Sequence, residues 1–227
     1  MANAILIMGK SGSGKSSSIR TLEPKKTVII NVLKKRLPFK GSSQLYNTEN
    51  KNLFNCDSYD TIISYLNAID KSATHIKNII IDDVTYVMRK EYFKTAKVSG
   101  YNKFVDIGAH FQSIISTIES MREDLNVFLM MHCEEIVSDN VIVGYKASTI
   151  GKLIDNSYNP VEVVPMLLFS SVKYDESKKP VYGFYTHRCI EGTVEIPAKS
   201  PEGMFEEDFI PNDLGFVVNK MNEYYNG

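Results

Sequence analysis

The sequence predicts an α/β fold with a mostly parallel sheet flanked by helices and with C-terminal β-hairpin additions. Short apolar runs without strict alternation recur over the first 132 residues, as expected for strands that are buried on both faces. Helical patterns separate these runs, which indicates βαβ units with right-handed crossovers. A glycine-rich loop directly after the first run adds a third indication, because such loops bind phosphate in α/β folds.

Four apolar runs are the predicted parallel strands. They are AILIM (4–8), TVIIN (27–31), NIIID (78–82) and NVFLMMH (126–132). The segments 59–70 and 104–124 place apolar residues at helical spacing and are the clearest predicted helices. The first has its stripe at Ile62, Ile63, Leu66 and Ile69, and the second at Ile107, Phe111, Ile114, Ile115, Ile118 and Met121.

The pattern changes after residue 133. The segments 134–147 and 172–188 have polar turns between β-branched or aromatic flanks, which predicts two hairpins. Residues 161–172 are predicted to form another strand of the sheet, interrupted near Pro165. The C-terminal segment 211–227 offers an Asn or Asp cap followed by a short amphipathic helix.

Length and composition indicate one domain. The 227 residues are predicted to form a single domain over 1–227, with a core of about 1–190 and a C-terminal extension over 191–227 that contains an acidic segment and a short helix. Hydrophobic residues make up 43% of the chain, enough for one buried core, and the net charge is −1. Any nucleic-acid binding must therefore come from a local basic patch.

Cysteine usage and hydropathy predict a cytoplasmic protein. The three cysteines are scattered and form no C-x-x-C pair, which suits buried thiols in a reducing compartment. No apolar stretch approaches the length of a membrane span, and the first apolar run is too short for a signal-peptide core.

The loop GKSGSGKS matches the P-loop or Walker A pattern G-x-x-x-x-G-K-[ST]. Glycines allow backbone N–H groups to approach a phosphate chain, and a helix predicted to begin near Lys15 and to end before Pro24 directs its positive dipole end there. ATP is the predicted ligand. The predicted nucleotide-binding residues are Gly9, Lys10, Ser11, Gly12, Ser13, Gly14, Lys15, Ser16 and Ser17.

Magnesium is the predicted second cofactor. Lys15 is predicted to reach the β- and γ-phosphates as a catalytic residue, while the Ser16 hydroxyl ligates Mg²⁺. Asp82 ends the buried run NIIID, as in a Walker B strand, and is predicted as a second metal ligand; the alternative is a helix N-cap. Asp83 could orient the attacking water. Neighbouring acids on a strand point to opposite faces, so only one of the two is expected to face the metal directly.

The run MMHCEE ends the next strand, where ligands of open α/β sheets bind. His132 is predicted to sense the γ-phosphate, and Glu134 or Glu135 could be the general base. The alternatives are a core histidine satisfied by the backbone and a solvated turn.

Six segments in order resemble the short RecA-like ATPases encoded by many phages, a group that includes single-strand annealing recombination proteins. They are NAILIMGKSGSGKS, VIINVLKKRLPFKG, IIIDDVTYVM, VFLMMHCEE, STIGKLIDN and KSPEGMFEEDFIPNDL, and they span Asn3 to about Leu214. The resemblance implies a RecA-type core and ATPase action on single-stranded DNA in recombination or replication. It also implies a homo-oligomeric ring or filament with ATP at subunit contacts, a single-strand binding protein or other replication partner, and the cytoplasm of a host cell.

One departure from the resemblance concerns catalysis. RecA-type proteins usually carry a catalytic glutamate just after the second strand, where this chain has NVLKKRLPF. Neither Asn31 nor the lysines can act as that base. Hydrolysis must therefore use Asp83, Glu134 or Glu135, or be slow.

Basic residues supply candidates for DNA contact and for a cationic finger that enters a neighbour's ATP site. Lys34, Lys35 and Arg36 belong to a basic strip with Phe39, which suits phosphate tracking and base stacking; a solvated loop is the alternative. Lys146, Lys152 and Arg188 are the finger candidates, and the segment 145–156 could instead face DNA or be a plain hairpin and helix start.

Other readings of the chain stay open. The acidic segment 201–213 could cover a basic face, dock a partner or form a solvated tail. A small-molecule or nucleoside kinase would share the loop, although neither an arginine-rich lid nor a substrate acid after the second strand is evident. A non-hydrolysing, nucleotide-gated assembly factor of a replication complex is the third function considered.

Overall fold

The computed structural model describes residues 1–97, 100, 102–151 and 158–227. Its strands are β1 Asn3–Gly9, β2 Thr27–Asn31, β3 Leu53–Asn55, β4 Asn78–Asp82, β5 Asn126–Ser138, β6 Val141–Ala147, β7 Met166–Tyr174, β8 Pro180–Tyr185, β9 Cys189–Glu191, β10 Val194–Ile196 and β11 Phe209–Pro211. Its α-helices are α1 Ser42–Leu45, α2 Tyr59–Ser72, α3 Thr85–Lys94, α4 Asn102–Glu119, α5 Pro160–Val163 and α6 Leu214–Asn226. Two 3₁₀ helices cover Ser16–Thr21 and Pro24–Lys26.

A mostly parallel sheet forms the centre of the molecule, and its strand order is β3-β2-β4-β5-β1-β7-β8-β11. The first six of these strands pair in parallel, while β8 and β11 add antiparallel strands at one edge. From Cys133 onward, β5 leaves this sheet and pairs in antiparallel fashion with β6, which also pairs with β10. The predicted α/β architecture is confirmed.

Two apolar clusters, one on each face of the sheet, form the core. Helices α2, α3 and α4 cover one face with the predicted stripes, in which the α4 residues Ile107, Phe111, Ile114, Ile115 and Ile118 are buried. The other face packs against the 3₁₀ helix after the P-loop and against α6. Strands β1, β2 and β4 and the first six residues of β5 are buried on both faces, which explains why their sequences are continuous apolar runs.

The predicted hairpins are confirmed, as β5–β6 and β7–β8. Two local predictions are wrong. The strand predicted over 161–172 begins only at Met166, because Asn159 caps the short helix α5 and Pro165 separates helix from strand. The helix predicted after the P-loop is a six-residue 3₁₀ segment, in which Ser18 N–H donates to the carbonyls of both Gly14 and Lys15.

The C-terminal acidic segment is not a solvated tail. Met204 and Phe205 are buried in the second core cluster, and Ile210 of β11 pairs with β8 at the sheet edge. Glu206, Glu207 and Asp208, which lie between Phe205 and β11, are exposed. The predicted cap of the final helix is confirmed, because the Asp213 carboxylate accepts from Phe216 N–H at 2.8 Å.

Candidate nucleotide-binding site

The P-loop follows β1 at the edge of the sheet where the parallel strands end. Gly9 admits no side chain, since a Cβ there would lie 2.5 Å from the Ser170 carbonyl oxygen on β7. Gly14 has φ +101°, a conformation that favours glycine. Ser170 Oγ donates to the Ser13 carbonyl at 2.9 Å, which ties the loop to the neighbouring strand. The motif glycines are therefore required by close packing and by backbone conformation.

Lys15 lies at the centre of the loop and is 7% exposed. Its Nζ donates to the Gly9 carbonyl at 2.8 Å and to the Lys10 carbonyl at 2.9 Å. Burial lowers the pKa of the Lys15 ammonium below its usual range, and the charges of Asp83 and Asp82 oppose that shift. The ammonium is positioned where a phosphate chain would meet the loop amides.

Ser16 and Asp82 come together as the sequence predicts. The Ser16 hydroxyl donates to Asp82 Oδ1 at 2.8 Å. Burial, followed by the charge of Asp83, raises the pKa of Asp82 to about 6. Helix α3 begins two residues after Asp83 and its cap position, Val84, makes no side-chain cap, so Asp82 is not a helix N-cap. A buried carboxylate beside a serine hydroxyl suits Mg²⁺, which takes one or two protein oxygens and completes its shell with phosphates and water.

Asp83 also lines the pocket, contrary to the expectation that adjacent acids point to opposite faces. Strand β4 ends at Asp82, and Asp83 has φ +60°, so strand alternation does not apply to it. Its Oδ1 lies 3.0 Å from His132 Nε2, and its Oδ2 lies 3.5 Å from Lys35 Nζ. Burial alone would raise the pKa of Asp83, but the His132 hydrogen bond and the Lys35 charge lower it below the usual range.

His132 is held at the carboxyl end of the parallel part of β5. Its backbone N–H donates to Thr85 Oγ1 at 3.0 Å, and its ring meets the Tyr86 ring edge to face at 5.7 Å between centroids. The ring therefore points at Asp83 and not into the core, and both residues line the same pocket.

The basic loop after β2 forms one wall of this pocket. Lys35 and Arg36 line it, together with Pro38. The Asn31 side chain holds the loop in place through two hydrogen bonds. Its Nδ2 donates to the Lys35 carbonyl at 2.6 Å, and its Oδ1 accepts from Lys35 N–H at 3.3 Å. Lys34, at φ +58°, is exposed and does not line the pocket. The sequence did not lead us to predict that Lys35 and Arg36 line the nucleotide pocket. A signal was present, because Asn31 ends a buried strand four residues before Lys35.

Glu134 and Glu135 lie outside the pocket. Glu134 accepts from Ser148 Oγ at 2.7 Å and lies 3.7 Å from Lys146, and Glu135 lies 2.6 Å from Lys10. These pairs direct both carboxylates toward the β5–β6 hairpin and the outer side of the loop. Of the three acids considered for hydrolysis, only Asp83 lines the P-loop pocket.

Two finger candidates lie away from the pocket lining. Lys146 lies on β6, and its Nζ is 3.7 Å from Glu134 on β5. The exposed Arg188 lies 2.8 Å from Glu195. Lys152, the third candidate, lies outside the described residues.

The resulting pocket has a volume of about 340 Å³ and joins the loop to two acids, a histidine and two cations. Among the described residues, no group of three or more His, Cys, Asp and Glu forms a metal cluster, so a bound Mg²⁺ would rely on Ser16, Asp82 and phosphate oxygens. Fold and site together define a P-loop nucleotide-binding ATPase.

The chain belongs to the AAA domain family, whose model matches residues 1–187. A comparison with curated proteins gives no match. The matched region contains the P-loop, Asp82, Asp83 and His132, and ends before β11 and α6. No helix of the described part of the chain is both long and apolar enough to cross a membrane.

Proposed function

We propose that this protein binds Mg·ATP in the P-loop pocket and hydrolyses it, with Asp83 orienting the attacking water. In this proposal Lys15 contacts the β- and γ-phosphates through its ammonium. Ser16 and Asp82 hold the metal, and His132 fixes the Asp83 carboxylate and reports the state of the γ-phosphate site.

The observation that carries the proposal is the placement of Asp83. Its carboxylate is hydrogen-bonded to His132 at 3.0 Å, and it faces the same pocket as the Lys15 ammonium and the Ser16–Asp82 pair. Phosphoryl transfer needs an oriented nucleophile and positive charge around the transferred group. The pocket offers both within its lining.

Hydrolysis breaks the bond between the γ-phosphorus of ATP and the bridging β-phosphate oxygen, forms a bond from the water oxygen to that phosphorus, and releases ADP and phosphate. The water proton passes to a carboxylate or to phosphate. Because the pKa of Asp83 is lowered, its carboxylate is ionised at neutral pH and accepts a hydrogen bond from that water. Mg²⁺, when bound, neutralises charge on the phosphate oxygens. Lys15, Lys35 and Arg36 add positive charge on the protein side of the pocket.

We further propose that single-stranded DNA stimulates this activity, in phage recombination or replication. The resemblance to short RecA-like ATPases supports this, and so does the exposed basic loop that begins at Lys34. Because Lys35 and Arg36 line the nucleotide pocket, DNA contact is tested at Lys34 alone. Lys34→Glu is expected to weaken DNA binding and to reduce its salt dependence while leaving DNA-free hydrolysis unchanged.

One assay separates the three functions considered. Phosphate release is measured with ATP and Mg²⁺ alone, with single-stranded DNA, and with candidate nucleosides. Release that DNA stimulates supports the proposal. Transfer of phosphate to a nucleoside would favour the kinase, and ATP binding without turnover in every arm would favour the assembly factor.

A homo-oligomer with the ATP site near a subunit contact is also part of the proposal. Arg188 supports it, since its side chain is 72% exposed and its ion pair with Glu195 is on the surface. Light scattering with and without Mg·ATP should show nucleotide-dependent assembly. Arg188→Ala should lower hydrolysis only at concentrations where the wild type assembles.

A further inference from the structure

The lining of the P-loop pocket includes residues besides the metal-binding ones. Ser17 and Tyr182 line it together with Ser16, Asp82 and Asp83. A nucleotide whose terminal phosphates lie at Lys15 and Ser16 must extend its nucleoside in another direction. Tyr182 is the one Phe, Tyr or Trp among the described residues that line the pocket, and it lies 45% exposed on the antiparallel strand β8.

Tyr182 is packed directly against the phosphate-binding loop. A Cβ built on Gly14 would lie 3.1 Å from Tyr182 Cδ1 and 2.9 Å from Asn212 Nδ2, so both side chains touch the loop at its second motif glycine. The Tyr182 carbonyl accepts from Asn212 N–H at 3.2 Å. Strand β8 and the turn before α6 are thereby fixed relative to the loop.

Arg20 is hydrogen-bonded to the same asparagine, Asn212. Its Nη1 donates to the Ser17 carbonyl at 2.8 Å and to Asn212 Oδ1 at 3.2 Å, which holds the guanidinium over the turn that follows the loop. The Gly215 N–H donates to Thr21 Oγ1 at 3.1 Å and attaches the start of α6 to the same 3₁₀ helix. These contacts join the C-terminal segment, which the family match does not reach, to the nucleotide site.

Asn212 carries an unsatisfied donor at this place. The side chain is 4% exposed, and its Nδ2 has no hydrogen-bond partner among the described residues. A buried amide donor without an acceptor is costly, so its presence in a native structure calls for an explanation. Because the half-exposed Tyr182 ring packs against the same glycine, Gly14, an acceptor atom of a ligand beside that ring would lie near the Nδ2 donor.

We propose that Tyr182, Arg20 and Asn212 form the nucleoside end of the site, where the Tyr182 ring stacks on the base of the bound nucleotide. This inference rests on the proposed function, since it takes the triphosphate to be in the P-loop. An exposed aromatic face stacks on any base, and the Arg20 guanidinium adds a positive charge beside the Ser17 carbonyl and Asn212. The C-terminal segment is then part of the binding site and not an appendage.

The test separates the nucleoside from the phosphates. Titration calorimetry with Mg²⁺ measures the affinity of the full chain for ATP and for inorganic tripolyphosphate. Tyr182→Ala is expected to weaken ATP binding about tenfold, the size of an aromatic–base stack, and to leave tripolyphosphate affinity unchanged. Tyr182→Phe should keep wild-type ATP affinity. Tyr174→Ala, which removes a more exposed tyrosine at the end of β7, is the matched control and should change neither.

Several results would overturn the proposal. Equal loss of ATP and tripolyphosphate affinity in Tyr182→Ala would mean that the ring acts through the loop, and no loss of either would mean that it makes no contact. If the wild type binds ATP and tripolyphosphate with equal affinity, the nucleoside contributes nothing to binding and the proposed nucleoside end is wrong. The proposed P-loop function would still stand. If the wild type binds neither ligand, the proposed function itself fails and this inference fails with it. Thermal unfolding of each variant checks that the half-exposed site still folds.

Discussion

Two cavities of the molecule differ in size and in chemistry. A groove between β2, β3 and α2 has a volume of about 1020 Å³ and is lined mostly by apolar side chains, including Phe54, Tyr65 and Ile69. The P-loop pocket has a volume of about 340 Å³, and its lining contains two carboxylates, a histidine and three cations. Cavity size alone would direct attention to the groove, which holds none of the predicted catalytic side chains.

The difference follows from where each cavity lies on the sheet. The P-loop pocket lies beyond the carboxyl ends of the parallel strands, where loops from β1, β2, β4 and β5 converge. The groove lies beside the edge strand β3, and its walls come from β2, β3, one face of α2 and the segments 23–25, 44–45, 50–52 and 73–76. Converging polar groups with shifted pKa values identify a functional site better than volume does. The following predictions test that contrast, from the largest expected effect to the smallest.

Removal of the P-loop ammonium should have the largest effect. Lys15→Ala is expected to lower the rate of ATP hydrolysis by a factor of about 100 to 1000, because the buried ammonium offers charge stabilisation to the transferred phosphoryl group. Phosphate release at saturating ATP measures it. Lys10→Ala is the matched control in the same loop: its side chain pairs with Glu135 on the outer side, and its backbone N–H is retained. Equal losses in the two variants would contradict the account.

The acids beyond the strand ends should differ from one another. Asp83→Asn is expected to lower kcat about 100-fold with little change in ATP affinity, because the amide keeps the shape but orients water poorly. Glu134→Gln should stay within about twofold of wild type, since its carboxylate faces Ser148 and Lys146. Single-turnover kinetics separate chemistry from product release. A large loss in Glu134→Gln with a normal Asp83→Asn would reverse the assignment.

The cation beside Asp83 should have an intermediate effect. Lys35→Met is expected to lower hydrolysis about tenfold without DNA, because Lys35 Nζ lies 3.5 Å from Asp83 and lines the pocket. Lys34→Met removes the adjacent lysine, which lies outside the lining, and is expected to leave the DNA-free rate unchanged. Initial rates in the absence of DNA compare the two. Equal effects would place Lys35 outside the reaction.

The fold could be predicted from the sequence in its regular parts. Strands β2 and β4 have the predicted bounds, and the helical stripes of α2 and α4 are buried, because local apolar periodicity determines both. The parallel part of β5 was predicted over 126–132 and its extension as part of the 134–147 hairpin, but one continuous strand from Asn126 to Ser138 was not predicted. The burial of Met204 and Phe205 was missed, since nothing local distinguishes an acidic segment that packs its two apolar residues from a solvated one.

The parts of the site that could be predicted are those whose residues belong to a recognisable local motif. The Lys15, Ser16 and Asp82 arrangement follows from the P-loop and the buried strand, and the structure brings Ser16 and Asp82 within hydrogen-bond distance. The pairing of Asp83 with His132 depends on a positive φ after β4, which alternation did not anticipate. The position of Tyr182 depends on an antiparallel strand far along the chain. Contacts of this kind arise from tertiary packing.

The smallest effect concerns stability and pH. The pKa of Asp82 is raised from 3.8 to about 6, so the folded state binds its proton more tightly than the unfolded state does. Ionisation of Asp82 therefore lowers the free energy of unfolding as the pH rises from about 4 to 6, and the whole of this loss is present above pH 6. Asp82→Asn, without Mg²⁺ and nucleotide, should raise the unfolding midpoint at pH 8 by roughly 2–8 °C, and the gain should shrink toward pH 5. Thermal scans across this range measure it.

A surface aspartate provides a control of opposite sign. The Lys77 hydrogen bond lowers the pKa of Asp124, so Asp124→Asn should lower the midpoint slightly at pH 8 and have less effect as the pH falls below its usual pKa. Stabilisation by both substitutions, or by neither, would contradict the assignment of Asp82 as a carboxylate held at a cost for function.

The contrast between the two cavities is tested most directly by calorimetric titration of Mg·ATP into Lys15→Ala and into a groove variant, Ala68→Glu, beside the wild type. Ala68 lines the large groove on the exposed side of α2, so a glutamate there changes the groove without disturbing the core. We expect wild-type affinity in Ala68→Glu and a clearly weakened affinity, by about tenfold or more, in Lys15→Ala. Loss of binding in Ala68→Glu, with wild-type affinity retained in Lys15→Ala, would contradict this expectation.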